Sequence, residues 1–265
     1  MMARRDDRIA GVGRGAAAEG ALAAETRVTF MRAASRARRV VVARRARVTR
    51  SMRAMAMTSN ERSIAERVRE AKCEVILGSG SSTRRAVLSS MGIDHVVVKP
   101  DIDEKAIRRD DPKALVRALA IAKADAAKEK LGASDFGTRR LLITCDQVVV
   151  HRGEIREKPS SEDEARAFIR GYGVDPPSTV GSTMVTDLST GKSALAVDVN
   201  TVVFDAIPDD VVDAIVEEGE CMHCAGGLMV EHELVQPYLR RIDGSIDGVM
   251  GLDAKTVERL LDELI

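Results

Sequence analysis

The sequence has 265 residues, of which 45% are hydrophobic and 31% are charged, and its formal net charge is zero. No uncharged apolar stretch reaches the roughly 20 residues of a transmembrane helix, which argues against a membrane-spanning protein. The zero charge conceals two opposite parts: residues 1–60 carry 14 arginines, no lysine and four acids, a net +10, and the remaining residues carry 27 basic and 37 acidic side chains, a net −10.

The basic part has the composition of a targeting segment. Residues 31–60 contain nine arginines and no acid, as mitochondrial and plastid transit peptides do. The alternative is a disordered basic tail. Asp6 and Asp7 are unusual for a transit peptide, so the start could be Met1 or Met31. We predict a leader over residues 1–70, with a mitochondrial or chloroplast location if it is a targeting signal and a cytoplasmic one otherwise.

The predicted folded domain, residues 71–265, alternates strand-like and helical segments. Short β-branched runs predict strands over residues 74–77, 95–99, 141–150, 179–186 and 194–204. A long helix is predicted from Pro112, capped by Asp111, to the stop at Gly132. Further helices are predicted from Ser161 to Gly171, where Glu164 completes a capping box, from Pro208 to Gly219, and from Asp253 to the C-terminus. This mixture indicates an α/β domain around a mixed sheet.

Two short patterns resemble known binding motifs but lack residues that those motifs require. Cys221-Met-His-Cys224 has metal-ligand or redox spacing, but a structural zinc site needs a second such pair, and Cys73 and Cys145 lie in apolar runs. Residues 190–193, TGKS, resemble the end of a phosphate-binding P-loop, yet position 186 is threonine where that motif requires glycine. We expect reduced thiols in the first case and a hairpin turn in the second.

The segment VILGSGSSTRRAVL, residues 75–88, has the chemistry of an anion site. After a strand, Ser79 and Ser81 stand among small residues that let backbone N–H groups approach an oxygen atom, at the start of a predicted helix. Arg84 and Arg85 add guanidinium groups suited to phosphate. A polyphosphate ligand is one interpretation, and ordinary helix capping with two solvent-facing arginines is the other.

Several charged residues downstream could act with this turn. Asp146 lies in the apolar run LLITCDQVVV, where a carboxylate is costly to bury without a partner, so we expect it to face a cleft and bind a cation or activate water. Lys158 precedes a proline that fixes its backbone. Asp103 and Glu104 add carboxylates, and Lys123 lies in the long helix. A solvated role for each of these last four remains the alternative.

Together, in this order, the motifs resemble the Maf family of nucleoside triphosphate pyrophosphatases. The resemblance is carried by six motifs: LGSGSSTRRAVL; DIDE with LAIAKA; TCDQVVV; EKP; HCAGGLMVE; and IDGSIDGVMGL. It implies a bent mixed sheet with helices around it, two lobes and a central cleft, usually in a homodimer. It also implies cleavage between the α and β phosphates of a nucleotide with a divalent metal, Mg²⁺ or Mn²⁺, and no nucleic-acid or membrane partner.

Residue roles follow from the resemblance. The phosphate binders would be Ser79, Ser81, Arg84, Arg85, Lys123 and Lys158. Asp146 would be the proton acceptor, and Glu104 and Asp146 the metal ligands. This set agrees with what the chemistry needs, because a triphosphate brings about four negative charges that must be neutralised while water is oriented.

Three further positions bear on the base. Gln147 and Glu231 resemble the branch that acts on 7-methyl-GTP, whereas Thr and Gln there are typical of the dTTP/UTP branch. A carboxylate suits the N–H donors of guanine and the positive charge of N7 methylation. Thr83 replaces the tryptophan frequent in the 7-methyl-GTP branch, which predicts looser discrimination. The alternatives are a dTTP/UTP pyrophosphatase and a non-catalytic, nucleotide-binding regulator of cell division.

Overall fold

The computed structural model describes residues 62–132 and 137–265. The seven strands are β1 (Cys73–Gly78), β2 (His95–Val97), β3 (Arg139–His151), β4 (Glu154–Arg156), β5 (Ser178–Asp187), β6 (Ser193–Phe204) and β7 (Leu239–Asp243). The α-helices are α1 (Ile64–Glu70), α2 (Ser82–Ser90), α3 (Pro112–Leu131), α4 (Glu162–Tyr172), α5 (Asp209–Glu218), α6 (Ile246–Val249) and α7 (Ala254–Asp262). Short 3₁₀ turns cover Glu104–Ala106, Glu220–His223, Ala225–Gly227 and Gln236–Tyr238.

The strands form one mixed sheet, which confirms the predicted α/β class. The order is β2-β1-β3-β5-β6-β7, and β4 pairs with β3. β1 is parallel to β2 and β3, and the pairs from β3 onward are antiparallel. The predicted division into two lobes stays a prediction.

Helices cover both faces of the sheet. α3 packs on one face through a row of small residues, Ala120, Ala124 and Ala127, against Leu142 of β3. On the other face α1, α2 and α7 enclose the core around Leu141 and Ile143. A third cluster joins α4 and α5 to β6 and the segment before β7. Within the ranges described here, no helix is long and apolar enough to cross a membrane.

The long helix α3 has the ends that the sequence predicts. Asp111 accepts hydrogen bonds from the backbone N–H groups of Lys113 and Ala114, Pro112 is the first helical residue, and Gly132 follows the last with φ 69°. Proline at this position needs no hydrogen bond, and glycine adopts positive φ without strain. These local signals fix the length of the helix that carries Lys123 to the site.

The leader prediction is wrong at its C-terminal end. Residues 64–70 form α1, with a complete capping box between Ser63 and Glu66. Ile64, Ala65 and Val68 are buried in the core with Leu260. Apolar residues at helical spacing made this segment part of the domain, so the boundary lies before it. Residues 1–61, with the targeting role predicted for them, lie outside the described residues.

Candidate active site

One cavity of about 620 Å³ brings the sequence-predicted residues together. Of the eleven residues predicted for the site, ten line this cavity: Ser79, Ser81, Thr83, Arg84, Glu104, Lys123, Asp146, Gln147, Lys158 and Glu231. They come from the β1–α2 turn, the 3₁₀ turn after β2, α3, β3, the loop after β4 and the segment that follows α5. The exception is Arg85, which is exposed and does not line the cavity.

The cavity lies where one edge of β3 is left uncovered. β1 pairs with β3 only as far as Thr144, and β4 pairs with it only from Val149. Residues 145–148 therefore keep a partner on the β5 side alone. Because side chains alternate along a strand, Asp146 faces α3 while Gln147 faces the opposite side, and both still reach the cavity through this gap.

The β1–α2 turn is shaped by its own hydroxyl groups. The buried Ser79 Oγ accepts a hydrogen bond from the backbone N–H of Ser81 at 3.2 Å. Ser81 caps α2, and its Oγ lies 2.7 Å from Thr83 Oγ1. The turn thus places the N-terminus of a nine-residue helix at the cavity, with the partial positive charge that favours anions.

Arg84 joins this turn to two other segments. Its guanidinium donates to Gly251 O at 2.9 Å, to Cys145 O at 3.1 Å and to Ser79 Oγ at 3.3 Å. The Cys145 carbonyl belongs to the uncovered edge of β3. Gly251 has φ 100°, and a Cβ there would lie 3.2 Å from Arg84 Nε. The arginine is therefore held in the cavity wall by the protein itself.

Lys123 is the centre of the charged group. It lies on the buried stripe of α3, and its ammonium forms an ion pair with Glu104 Oε1 at 2.9 Å and a short hydrogen bond with Asp146. Lys123 and Asp146 are 7% and 6% exposed, so this pair is largely removed from water. One buried cation therefore holds two carboxylates at the cavity.

The two carboxylates respond differently to this environment. Burial raises the pKa of Asp146 above its ordinary value, although Lys123 and Arg84 act in the opposite direction. For Glu104, burial also acts to raise the pKa, but the hydrogen bond and charge of Lys123, with Lys158 and Arg84, lower it overall. Asp146 is thus the stronger base of the two.

Gln147 and Glu231, the two residues predicted to contact the base, both line the cavity. The Gln147 amide donates to Gly248 O at 2.7 Å, which fixes its orientation. Glu231 is exposed, and its backbone carbonyl accepts a hydrogen bond from Gln236. Thr83 and Cys224 also line the cavity.

The cysteine pair has the wrong environment for metal or redox chemistry. Cys221 and Cys224 are free thiols. Burial raises the pKa of both, and with the charges of Glu231 and Cys221 it brings that of Cys224 to about 11. Thiolates are the species that bind zinc and attack disulfides, so a raised pKa disfavours both reactions.

The residues present fit a divalent cation bound together with a phosphorylated ligand. Over the two ranges the structure describes, no group of three or more His, Cys, Asp or Glu side chains could hold a metal alone. Glu104 and Asp146, however, both reach Lys123 Nζ and offer oxygen ligands. Mg²⁺ is commonly bound by one or two carboxylates plus substrate phosphates. Asp103 has another role, since it caps the 3₁₀ turn at Lys105.

Several lining residues were not predicted from the sequence, among them Lys99, His223 and Met250. A sequence pattern could have identified Lys99, because Lys99-Pro100 repeats, after a strand, the dipeptide Lys158-Pro159. His223 carries the one aromatic ring among the side chains that line the cavity in the described residues. The 3₁₀ turn that follows it, Ala225–Gly227, is held by Tyr172, whose hydroxyl donates to Gly226 O at 2.6 Å. No pattern in the sequence indicated that turn.

Comparisons with known proteins identify the family and several relatives of this chain. The family model described as "Maf-like protein" matches residues 74–264. A "7-methyl-GTP pyrophosphatase" of Dictyostelium discoideum is 37% identical over 192 residues, 72% of this chain and 96% of that protein. A "Nucleoside triphosphate pyrophosphatase" of Thermosynechococcus vestitus is 32% identical, over 70% of this chain and 91% of that protein. A "dTTP/UTP pyrophosphatase" of Chlamydia trachomatis is 33% identical, over 72% and 94%.

Proposed function

The chain belongs to the Maf-like protein family, and from that premise we propose that it hydrolyses 7-methyl-GTP to the monophosphate and pyrophosphate. At the coarser level it is a nucleotide pyrophosphatase, a hydrolase that releases pyrophosphate. One observation carries the proposal for the site. Asp146, Arg84, Lys123 and Lys158 line a single cavity, so a base and the cations that a phosphate chain needs meet at one place.

The chemistry assigned to Asp146 is proton acceptance. Water attacks phosphorus, the bond between the α and β phosphates breaks, and the proton of the water passes to the Asp146 carboxylate. Burial raises the pKa of this carboxylate, which makes it a better proton acceptor than an exposed aspartate. Lys123 keeps the carboxylate in position through its hydrogen bond.

The cations stabilise the charge that develops during cleavage. Arg84 is preorganised by three hydrogen bonds to the protein, so it needs no rearrangement when a phosphate binds. Ser79, Ser81 and the N-terminus of α2 add neutral donors at the same turn. A divalent cation held by Glu104 and Asp146 would neutralise further phosphate charge.

The base preference rests on Glu231 and Gln147. Guanine presents N–H donors at N1 and N2, which a carboxylate accepts, and N7 methylation adds positive charge that attracts Glu231. Uracil and thymine present acceptor, donor and acceptor groups, which a carboxylate matches poorly. We therefore expect 7-methyl-GTP to exceed GTP, UTP and dTTP in kcat/KM, measured side by side with Mg²⁺ or Mn²⁺.

The matched test removes the negative charge of Glu231. Glu231→Gln is expected to lower kcat/KM for 7-methyl-GTP about tenfold relative to UTP, as expected for loss of a charge-assisted hydrogen bond. Glu233→Gln, at an exposed position outside the cavity lining, is the control. An unchanged substrate ratio in Glu231→Gln would remove this residue from base selection.

The second candidate is a dTTP/UTP pyrophosphatase. Thr83 supports it, because a tryptophan platform at that position would have added about 1–3 kcal/mol of stacking to a purine. A higher kcat/KM for UTP and dTTP than for 7-methyl-GTP would favour it. Tight nucleotide binding without turnover under either metal would instead favour a non-catalytic regulator.

A further inference from the structure

We propose that Lys99 is a further phosphate-binding residue, which contacts the pyrophosphate half of the substrate and retains pyrophosphate after cleavage. This inference rests on the proposed function and adds a residue to its site. Lys99 lies two residues beyond the end of β2 and lines the cavity.

The Lys99 side chain lies along the glycine-serine turn. Its Cε, Cδ and Cγ atoms are 3.3, 3.5 and 3.6 Å from the place where a Cβ on Gly80 would lie. The apolar stem therefore covers the backbone of Gly80 in the turn before α2, and the residue lines the cavity. A long cationic side chain commonly packs its stem in this way and leaves its charge in water.

The backbone of Lys99 is held in place from two sides. Val98 donates to Leu77 O at 3.0 Å, which continues the pairing of β2 with β1. Lys130, on α3, donates its ammonium group to Lys99 O at 2.9 Å. Pro100 follows and restricts the conformation of Lys99. The ammonium group is thus mobile only through its own side-chain torsions.

Charge availability distinguishes Lys99 from the cations already described. In the part of the chain that the structure describes, four cationic side chains line the cavity: Arg84, Lys99, Lys123 and Lys158. Arg84 donates three hydrogen bonds to the protein, and Lys123 is bound to two carboxylates. In the described ranges the ammonium groups of Lys99 and Lys158 form no hydrogen bond or ion pair, so both are free to bind phosphate oxygens.

The position of Lys99 on the turn assigns it to one end of the substrate. Gln147 and Glu231, which contact the base in the proposed function, come from β3 and the segment after α5. Lys99 instead packs on Gly80, between Ser79 and the start of α2, where small residues let phosphate oxygens approach the backbone. The geometry therefore assigns Lys99 to the end of the phosphate chain that leaves as pyrophosphate.

The test compares Lys99→Gln with the matched control Lys105→Gln. Lys105 is exposed on the neighbouring 3₁₀ turn and does not line the cavity. The control variant therefore removes the same charge without removing a contact to the cavity. For Lys99→Gln we expect about a tenfold rise in KM and in the Ki of pyrophosphate, the effect of losing one hydrogen bond between charged groups. kcat and inhibition by the nucleoside monophosphate should change less than about twofold.

The outcomes separate this inference from the proposed function. Equal pyrophosphate inhibition in Lys99→Gln and Lys105→Gln would overturn the role of Lys99, as would an equal loss of monophosphate binding. If the wild-type protein turns over no nucleotide, the proposed function fails, and calorimetric titration with pyrophosphate and Mg²⁺ still tests Lys99. Weaker pyrophosphate binding in Lys99→Gln but not in Lys105→Gln, with an unchanged melting temperature, would support the role of Lys99. Pyrophosphate binding that is unchanged in Lys99→Gln, or that is undetectable in the wild-type protein, would overturn it.

Discussion

Two aspartates on the same pair of strands have opposite surroundings. Asp187 lies at the end of β5 opposite Leu141, and Asp146 lies in the middle of β3 opposite Ser182. Both are buried and both face a cation, Arg139 and Lys123 respectively. They differ in how many of their oxygen lone pairs the protein satisfies.

Asp187 is saturated with donors from the protein. Its Oδ1 accepts from the backbone N–H of Ser189 at 2.8 Å and of Thr190 at 3.3 Å, and its Oδ2 accepts from Arg139 Nε at 3.0 Å. Burial acts to raise the pKa of Asp187, but the N–H of Ser189 and the arginine lower it overall. This carboxylate closes the β5–β6 hairpin that the TGKS segment was predicted to form.

Asp146 is left with unfilled acceptor positions at a cavity. Among the described residues Lys123 alone donates to it, and burial raises its pKa. A buried carboxylate whose oxygens are all bonded stabilises the fold, whereas one that is buried but only half satisfied is available for chemistry. The difference separates a structural aspartate from a reactive one without reference to any relative.

The largest expected effect is on catalysis at Asp146. Asp146→Asn should lower kcat by about 100-fold or more, because a general base contributes roughly 10²–10⁴ in rate. The free energy of unfolding of Asp146→Asn should differ little from that of the wild type. The folded-state pKa is raised, so this group contributes stability below its unfolded pKa and loses it as pH rises through the folded pKa. A neutral amide avoids that cost, and Lys123 keeps Glu104 as a partner.

Pyrophosphate release and thermal melting of the same preparation measure both effects. Asp125→Asn, an exposed carboxylate on α3 outside the cavity lining, is the control. A loss of less than tenfold in rate would show that Asp146 is not the proton acceptor.

The next effect is on stability at Asp187. Asp187→Asn should lower the free energy of unfolding by about 1–3 kcal/mol, because it weakens hydrogen bonds to a charged acceptor in a buried turn. Specific activity per folded molecule should stay unchanged, since Asp187 does not line the cavity. Urea unfolding checks the first expectation. A variant that melts like wild type but has lost activity would reverse the assignment of the two aspartates.

The pH dependence should show both aspartates at once. Asp187 has a lowered pKa, so its stabilisation is present above the unfolded pKa of about 3.9 and is lost as pH falls through the lower folded value. Asp146 has a raised pKa and must be ionised to act, so kcat/KM should fall about tenfold per pH unit below that value. Between the two, the protein should be folded and inactive. Coincident loss of activity and structure would contradict this.

The smallest expected effect concerns His223, the aromatic residue that lines the cavity next to Cys224. His223→Ala should raise KM for a purine substrate about fivefold, the lower end of what a base gains by stacking on a ring. His232→Ala removes a ring that pairs with Glu218 outside the cavity and should leave KM unchanged. If both variants behave alike, His223 does not contact the base.

Most of the fold could be predicted because its signals are local. Asp111, Pro112 and Gly132 define α3 by themselves, and the five predicted strands correspond to β1, β2, β3, β5 and β6. β4 and β7 were missed, since three and five residues rich in charge lack the apolar alternation of a strand. Their pairing depends on neighbours distant in sequence, which propensity does not encode.

The site was predictable to the extent that it follows periodicity. Lys123 occurs on α3 in phase with Val116, Ala120 and Ala127, so its buried side was readable from the spacing. Arg85 lies outside the cavity lining, because one residue after Arg84 a helix turns by about 100° and points the side chain to solvent. Lys99 was not predicted as a lining residue, because that depends on which turn its side chain covers in the folded protein.

The uncovered edge of β3 makes the enzyme unusually sensitive to the length of one strand. Asp146 and Gln147 are neighbours that serve opposite sides of the same gap, so a one-residue deletion upstream in β3 would exchange their faces while leaving the composition almost unchanged. Insertions and deletions in the β5–β6 hairpin turn should therefore lower stability through Asp187 but keep the activity per folded molecule, whereas those between residues 139 and 146 should abolish activity. A scan of single-codon deletions along β3, with activity measured for each variant, would show at which positions the length of the strand determines the active site.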